Sequence, residues 1–156
     1  MTNTSKQRDA VIMFTDIVGY SSMIGKNESH ALKLLDEHNQ TIEPTITSHN
    51  GRIIKHIGDA IFAEFSSPID AVDASIVFQN RFKEQNSLSR KEDQILVRVG
   101  IHCGKVVVKE NDLFGDVVNI SNRIESVAFP GGIAISKEIK NNLITSKYKT
   151  RPIGYV

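Results

Sequence analysis

Ala10-Val11-Ile12-Met13-Phe14 is an unbroken apolar run. A half-solvated strand alternates apolar and polar positions, and this one does not, so the run predicts a strand in the middle of a sheet. It continues into Thr15-Asp16-Ile17-Val18-Gly19-Tyr20, which places a carboxylate at the end of a rigid element beside a glycine turn. A buried strand of this kind needs further strands beside it and helices against it.

The neighbouring segments supply both. A helix is predicted from about Glu28 to Ser48, with Ala31, Leu34, Leu35, Ile42 and Ile46 at helical spacing. Pro44 lies inside it and predicts a kink or break near Glu43, and Asn50-Gly51 ends it. Arg52–Lys55 and Ala60–Phe65 read as strands of a hairpin joined by His56-Ile57-Gly58-Asp59. Ser67-Pro68-Ile69-Asp70 starts a helix with Ser67 as N-cap and Pro68 in the first helical position, running to about Gln85.

Asn86–Asp93 is a polar loop. Ile95–Cys103 and Lys105–Lys109 read as strands with a turn at Gly104. Val117, Ile120, Ile124 and Val127 make one apolar stripe of a helix over Val117–Ala128, and a short strand at Ile133–Ile135 precedes a helix from about Lys137 to Ile144. The order β-α-β-β-α-β, then an extra strand and helix, predicts an α+β fold. Its core is ferredoxin-like, an antiparallel-rich sheet with helices on one face.

A chain of 156 residues accommodates one domain with a substantial core. The expected division is a polar tail over residues 1–8 and one domain over 9–156. A net charge of +1 gives no field that would recruit nucleic acid or an anionic membrane. No apolar run approaches the ~20 residues of a membrane span. The polar N-terminus lacks a signal-peptide core. The lone Cys103 excludes an internal disulfide and fits a reducing cytoplasm.

The chemistry-bearing residues each have two readings in isolation. Asp16 could serve a metal or phosphate, or simply cap the next helix. Asp59 could do the same, or be ordinary hairpin chemistry. The two together favour the first reading, because their strands should be sheet neighbours and paired carboxylates suit divalent metals. The turn Ile17-Val18-Gly19 offers backbone N–H groups of the kind that bind phosphate. Lys55 reads as a solvated cation or a ligand group, and Asp112 as a turn acid or a ligand group. Asn119 and Arg123 lie four apart on one helix face. They form either an exposed polar face or a clamp for ribose and phosphate oxygens.

Five stretches together resemble the catalytic domain of the class III adenylyl and guanylyl cyclases. They are Phe14–Tyr20, Gly51–Asp59, Arg98–Gly104, Asp112–Arg123 and Phe129–Ser136, collinear over about residues 9 to 145. The resemblance implies that Asp16 and Asp59, with the Ile17 carbonyl, hold two divalent ions, Mg²⁺ or Mn²⁺. It implies that Lys55 and Asp112 hydrogen-bond adenine, that Asn119 orients the ribose, and that Arg123 stabilises the phosphate. It further implies a homodimer with two shared active sites, metal aspartates from one protomer and the other four residues from its partner. The reaction implied is ATP to 3′,5′-cyclic AMP and pyrophosphate, by attack of the ribose 3′-oxygen on the α-phosphorus.

ATP is favoured over GTP by hydrogen-bond polarity. A carboxylate accepts from adenine N6 and a lysine donates to N1, whereas guanine reverses those edges. Guanylyl cyclases of the family tend to carry an acid at the Lys55 position and a small polar residue at the Asp112 position. Two departures stand out. Asn122 replaces the family's usual small residue. The family domain also continues past Gly154-Tyr155-Val156 with a strand pair and a lysine-bearing phosphate loop, so truncation of the C-terminal strands is expected. The layout is shared with diguanylate cyclases, but Ile57-Gly58-Asp59-Ala60-Ile61 does not supply their Gly-Gly-Asp/Glu-Glu-Phe hairpin. A non-catalytic cyclase-like dimerisation module is the alternative, and fused sensor or effector domains are compatible with either reading.

Overall fold

The computed structural model describes residues 6–144 and 146–155. Its elements are β1 (Lys6–Ile17), α1 (Tyr20–Lys26), α2 (Glu28–Ser48), β2 (Gly51–Ile57), β3 (Ala60–Phe65), α3 (Pro68–Ser87), a 3-10 turn (Lys91–Asp93), β4 (Val97–Lys109), β5 (Asp112–Phe114), α4 (Asp116–Ser126), β6 (Ile133–Ile135) and α5 (Lys137–Lys140). One sheet runs β2-β3-β1-β4-β5, with β6 attached to β4. Every pairing is antiparallel except the parallel β4–β6 pair. The expected α+β, ferredoxin-like layout is present, and the apolar run of β1 lies in its central strand. β1 begins at Lys6, inside the segment read as a tail. Residues 1–5 of that tail lie outside the described residues.

Because side chains alternate along a strand, the apolar run of β1 presents two apolar faces. Val11, Met13 and Ile17 enter a core with Leu34, Ile42 and Ile46 of α2 and Phe78 and Phe82 of α3. Ala10, Ile12 and Phe14 enter a second core with Phe62, Val106 and Leu113, and Val117 and Val118 of α4 pack against it. α4 therefore covers the face opposite α2 and α3, which corrects the expectation of helices on one face only. The second apolar face of β1 needs cover as much as the first.

Gly104 is not a turn. β4 runs through it without interruption, with Gly104 opposite Ala10 of β1. A Cβ there would lie 2.6 Å from a Val117 methyl, so the residue is small because α4 crosses at that point. The real reversal comes later, at Glu110-Asn111, where φ values of 52° and 64° set the tight hairpin into β5.

Other differences are local. The helix start at Ser67 is as expected, with Asp70 N–H donating to Ser67 Oγ at 3.4 Å. α2 spans the predicted residues but is not broken at Pro44. Gln40, whose carbonyl loses its donor to the proline, is exposed, so water can replace the bond. α1 has no buried residue and left no apolar stripe to read. On the α4 face, Glu64 joins three strands: Arg8 donates to it at 2.7 and 2.8 Å and Arg52 at 2.5 Å. The two guanidiniums hold its carboxyl below the usual range against the opposing effect of burial. No helix among the described residues is long and apolar enough to cross a membrane.

Candidate active site

The end of β1 and the β2–β3 turn come together. β1 and β3 are paired with Thr15 opposite Ile61, so the turn before β3 falls beside Asp16. The Ile17 N–H donates to Asp59 Oδ2 at 2.7 Å. That bond fixes the Asp59 carboxylate against the backbone that follows Asp16. Both aspartates are half-buried.

The same bond narrows one expectation. Of the three backbone amides expected to bind phosphate, Ile17 donates to Asp59 and Val18 donates to the Leu96 carbonyl at 2.8 Å. A donor already engaged inside the fold is not available to a ligand. Of the three, only Gly19, with φ 75° at the start of α1, has no intrachain acceptor for its N–H among the described residues.

A residue that sequence reasoning missed lies behind Asp16. Glu125 of α4 is buried, and its carboxyl sits beside that of Asp16. Asp16 Oδ1 and Glu125 Oε1 are both buried without a hydrogen-bond acceptor or donor assigned to them. Burial, then the Asp16 carboxylate, pushes Glu125 up to about 8. At neutral pH Glu125 thus keeps its proton, and that proton can be given to Asp16. Gly100 of β4 permits the contact, since a Cβ there would run into the Glu125 backbone. The clue in the sequence was the spacing of Ser121, Ile124 and Glu125, which form the buried face of α4. Val127, expected on the apolar stripe, is instead exposed and follows the helix end.

Lys55 and Asp112 meet from β2 and β5. Lys55 Nζ donates to Asp112 Oδ2 at 2.6 Å, and the Leu113 N–H donates to Asp112 Oδ1 at 2.8 Å. The ammonium, ahead of the backbone bond, holds the Asp112 carboxyl below its usual range. Lys55 also lies over the Phe62 ring at 5.8 Å, and Phe62 stacks on Phe14 at 4.7 Å. One cation and one carboxylate therefore stand side by side over two stacked rings that are themselves buried in the core.

Asn119 and Arg123 are exposed on α4 and line a concavity of about 630 Å³ together with Asp116, Ile120 and Asn122. Among the described residues no hydrogen bond or ion pair joins them to Asp16 or Asp59. The six side chains thus fall into three groups: the aspartates, the Lys55–Asp112 pair, and the α4 pair.

Among the described residues no three His, Cys, Asp or Glu side chains gather into a metal-holding cluster. Two carboxylates with the Ile17 carbonyl still form an all-oxygen donor set. Mg²⁺ and ions like it use one or two carboxylates and complete their shell with water and substrate phosphates. The donor set fits such ions.

Residues 3–156 match the family model described as the adenylate and guanylate cyclase catalytic domain. The chain is 38% identical to "Putative adenylate cyclase 3" of Rhizobium meliloti, over 86% of this chain and 23% of that protein. It is 28% identical to the receptor-type guanylate cyclase gcy-6 of Caenorhabditis elegans, over 93% of this chain and 15% of that protein. The chain thus spans less than a quarter of either relative's length. Among solved structures, an adenylate/guanylate cyclase/hydrolase from Silicibacter pomeroyi superposes with a TM-score of 0.82 at 28% identity, covering 88% of this chain and 81% of that one.

Proposed function

This chain belongs to the adenylate and guanylate cyclase catalytic domain family, and from that premise we propose that it is an adenylyl cyclase domain acting as a homodimer on ATP. The observation that carries the choice of base is the Lys55–Asp112 pair at 2.6 Å. A donor and an acceptor at that spacing match the N1 acceptor and N6 donor of adenine. Guanine presents the opposite polarity, and mispaired polar groups at such a site cost discrimination of ~10⁴ or more.

In this reading Asp16, Asp59 and the Ile17 carbonyl hold two divalent ions, which when bound lower the pKa of the 3′-hydroxyl and screen the phosphate charge. The Ile17 N–H keeps Asp59 aimed at that position. Protonated Glu125 supports Asp16 from behind without adding a second negative charge. Asn119 and Arg123 come from the partner protomer, because in one chain they do not reach the aspartates. Asn119 orients the ribose so that O3′ faces the α-phosphorus. Arg123 meets the charge that builds on the phosphate oxygens as the new P–O bond forms and pyrophosphate leaves. The hydroxyl proton passes to water or to a substrate phosphate. A cytoplasmic setting is consistent with a lone thiol and an ATP substrate.

The test is direct. The protein is incubated with ATP or GTP and with Mg²⁺ or Mn²⁺, and the products are separated and identified by mass. The expected result is 3′,5′-cyclic AMP with pyrophosphate, abolished by a chelator. Cyclic GMP as the main product, or no cyclic nucleotide under any combination, would overturn the reading.

A further inference from the structure

α4 carries a polar stripe that the fold itself does not use. Asp116, Asn119, Asn122 and Arg123 are all exposed and line one concavity of about 630 Å³. Among the described residues, the side-chain hydrogen bonds of α4 are those of Ser121 and Ser126 to preceding carbonyls. The stripe residues make none. Asn122 is the one that the reading above leaves without a task.

An asparagine in a helix interior is a poor helix former, because its amide competes for backbone groups. Where it bonds locally, that bond offsets part of the cost. Asn122 has no such side-chain bond among the described residues and is exposed. Its carboxamide contributes nothing to this fold that alanine would not exceed.

The stripe is also chemically graded. Asp116, at the start of α4, can only accept hydrogen bonds. Asn122 and Arg123, near its end, offer N–H donors. Ribose hydroxyls need acceptors and phosphate oxygens need donors. A nucleotide lying along α4 would meet matching partners with its ribose toward Asp116 and Asn119 and its phosphates toward Asn122 and Arg123.

We propose that Asn122 is a further substrate-contacting residue, donating its side-chain amide to a phosphate oxygen of the nucleotide that Arg123 binds. This rests on the cyclase reading, and it goes beyond it by extending the phosphate contact to Asn122, which lines the same concavity as Arg123.

Asn122→Ala removes the donor. Asn122→Asp keeps the shape but turns an acceptor and a charge toward the phosphate. With ATP, the alanine variant should lose roughly threefold to tenfold in kcat/KM, and the aspartate variant more than about tenfold. Calorimetric titration supplies a readout independent of turnover. With Mg²⁺ present, 3′-deoxy-ATP, which cannot cyclise, should bind Asn122→Asp about tenfold more weakly than the parental protein, while 3′-deoxyadenosine should bind both equally. The thermal midpoint of the alanine variant should not fall, because the exposed side chain makes no bond within the fold and alanine is the better helix former.

Equal 3′-deoxy-ATP affinity in parent and aspartate variant overturns the inference. So does an equal loss for nucleoside and triphosphate, or a parental protein that binds no triphosphate. Failure of the parental protein to cyclise either nucleotide would refute the cyclase reading instead, and the pair of titrations would still decide Asn122.

Discussion

Glu125 and Asp16 lie carboxyl to carboxyl between α4 and β1, each with a buried oxygen lacking a partner of its own. One proton between them resolves the conflict, and burial places it on Glu125, whose pKa rises to about 8. In an unfolded chain the same group titrates near 4.5. The folded state therefore binds the extra proton across that interval.

The sign follows from linkage. Where the folded state holds more protons than the unfolded state, stability falls as pH rises. The contribution of Glu125 is fully present below about 4.5, declines through the interval, and is gone above about 8. Denaturant titrations of the metal-free protein across this range should show the decline. Glu125→Gln, which mimics the protonated form, should remove it and be the more stable protein at pH 8 and above. Identical pH profiles for the two proteins would mean that Glu125 is not the protonated partner.

The shared-site arrangement predicts complementation. Asp59→Ala removes one metal-directed carboxylate and the acceptor of the Ile17 N–H at 2.7 Å. Arg123→Ala removes the phosphate contact. Each variant alone should be inactive. Mixed under conditions that allow exchange, half of the dimers carry one intact site, so activity should return to about a quarter of the parental value. Subunit exchange confirmed by a tag, with no recovery of turnover, would refute a site assembled across the two-fold axis.

Base choice should follow the Lys55–Asp112 pair. Lys55→Glu with Asp112→Cys reverses donor and acceptor at the base edge. The ATP:GTP ratio should fall in competition assays with both nucleotides at equal concentration. Total turnover should fall as well, since Asp112 also accepts the Leu113 N–H at 2.8 Å and the cysteine does not replace that bond fully. An unchanged ratio in a folded double variant would mean that this pair does not read the base.

The seating of α4 is testable through two glycines of β4. Gly104→Ala meets one Val117 methyl at 2.6 Å, at a φ of 157° that adds some backbone strain, and touches no backbone atom of α4. Gly100→Ala meets the backbone of Glu125, which cannot move without shifting the helix. Gly100→Ala should cost more than Gly104→Ala, with overpacking losses typically ~1–3 kcal/mol. It should also depress turnover, because Asn119 and Arg123 ride on the displaced helix. Equal stability of the two variants in thermal melts would contradict this seating.

Much of this was legible in local sequence. That Asp16 and Asp59 would be neighbours was readable, because the strand and the turn that carry them have clear local signals. The apolar run of β1 predicted its central place for the same reason. What was hidden depended on distant partners. Glu125 is buried because Gly100, far away in the chain, leaves room for it. Gly104 was read as a turn because a glycine kept small by a crossing helix has the same letter as one that reverses the chain. The second face of the sheet was missed because cover for it comes from α4, late in the sequence. The amides of Ile17 and Val18 looked free because their acceptors, Asp59 and Leu96, come from other segments.

α4 has two working sides. Glu125 presses on this chain's own Asp16, while Arg123, two residues earlier, faces outward. In a homodimer of the proposed kind, the outward side serves the site built on the partner's aspartates. A single rigid helix then belongs to both catalytic centres at once.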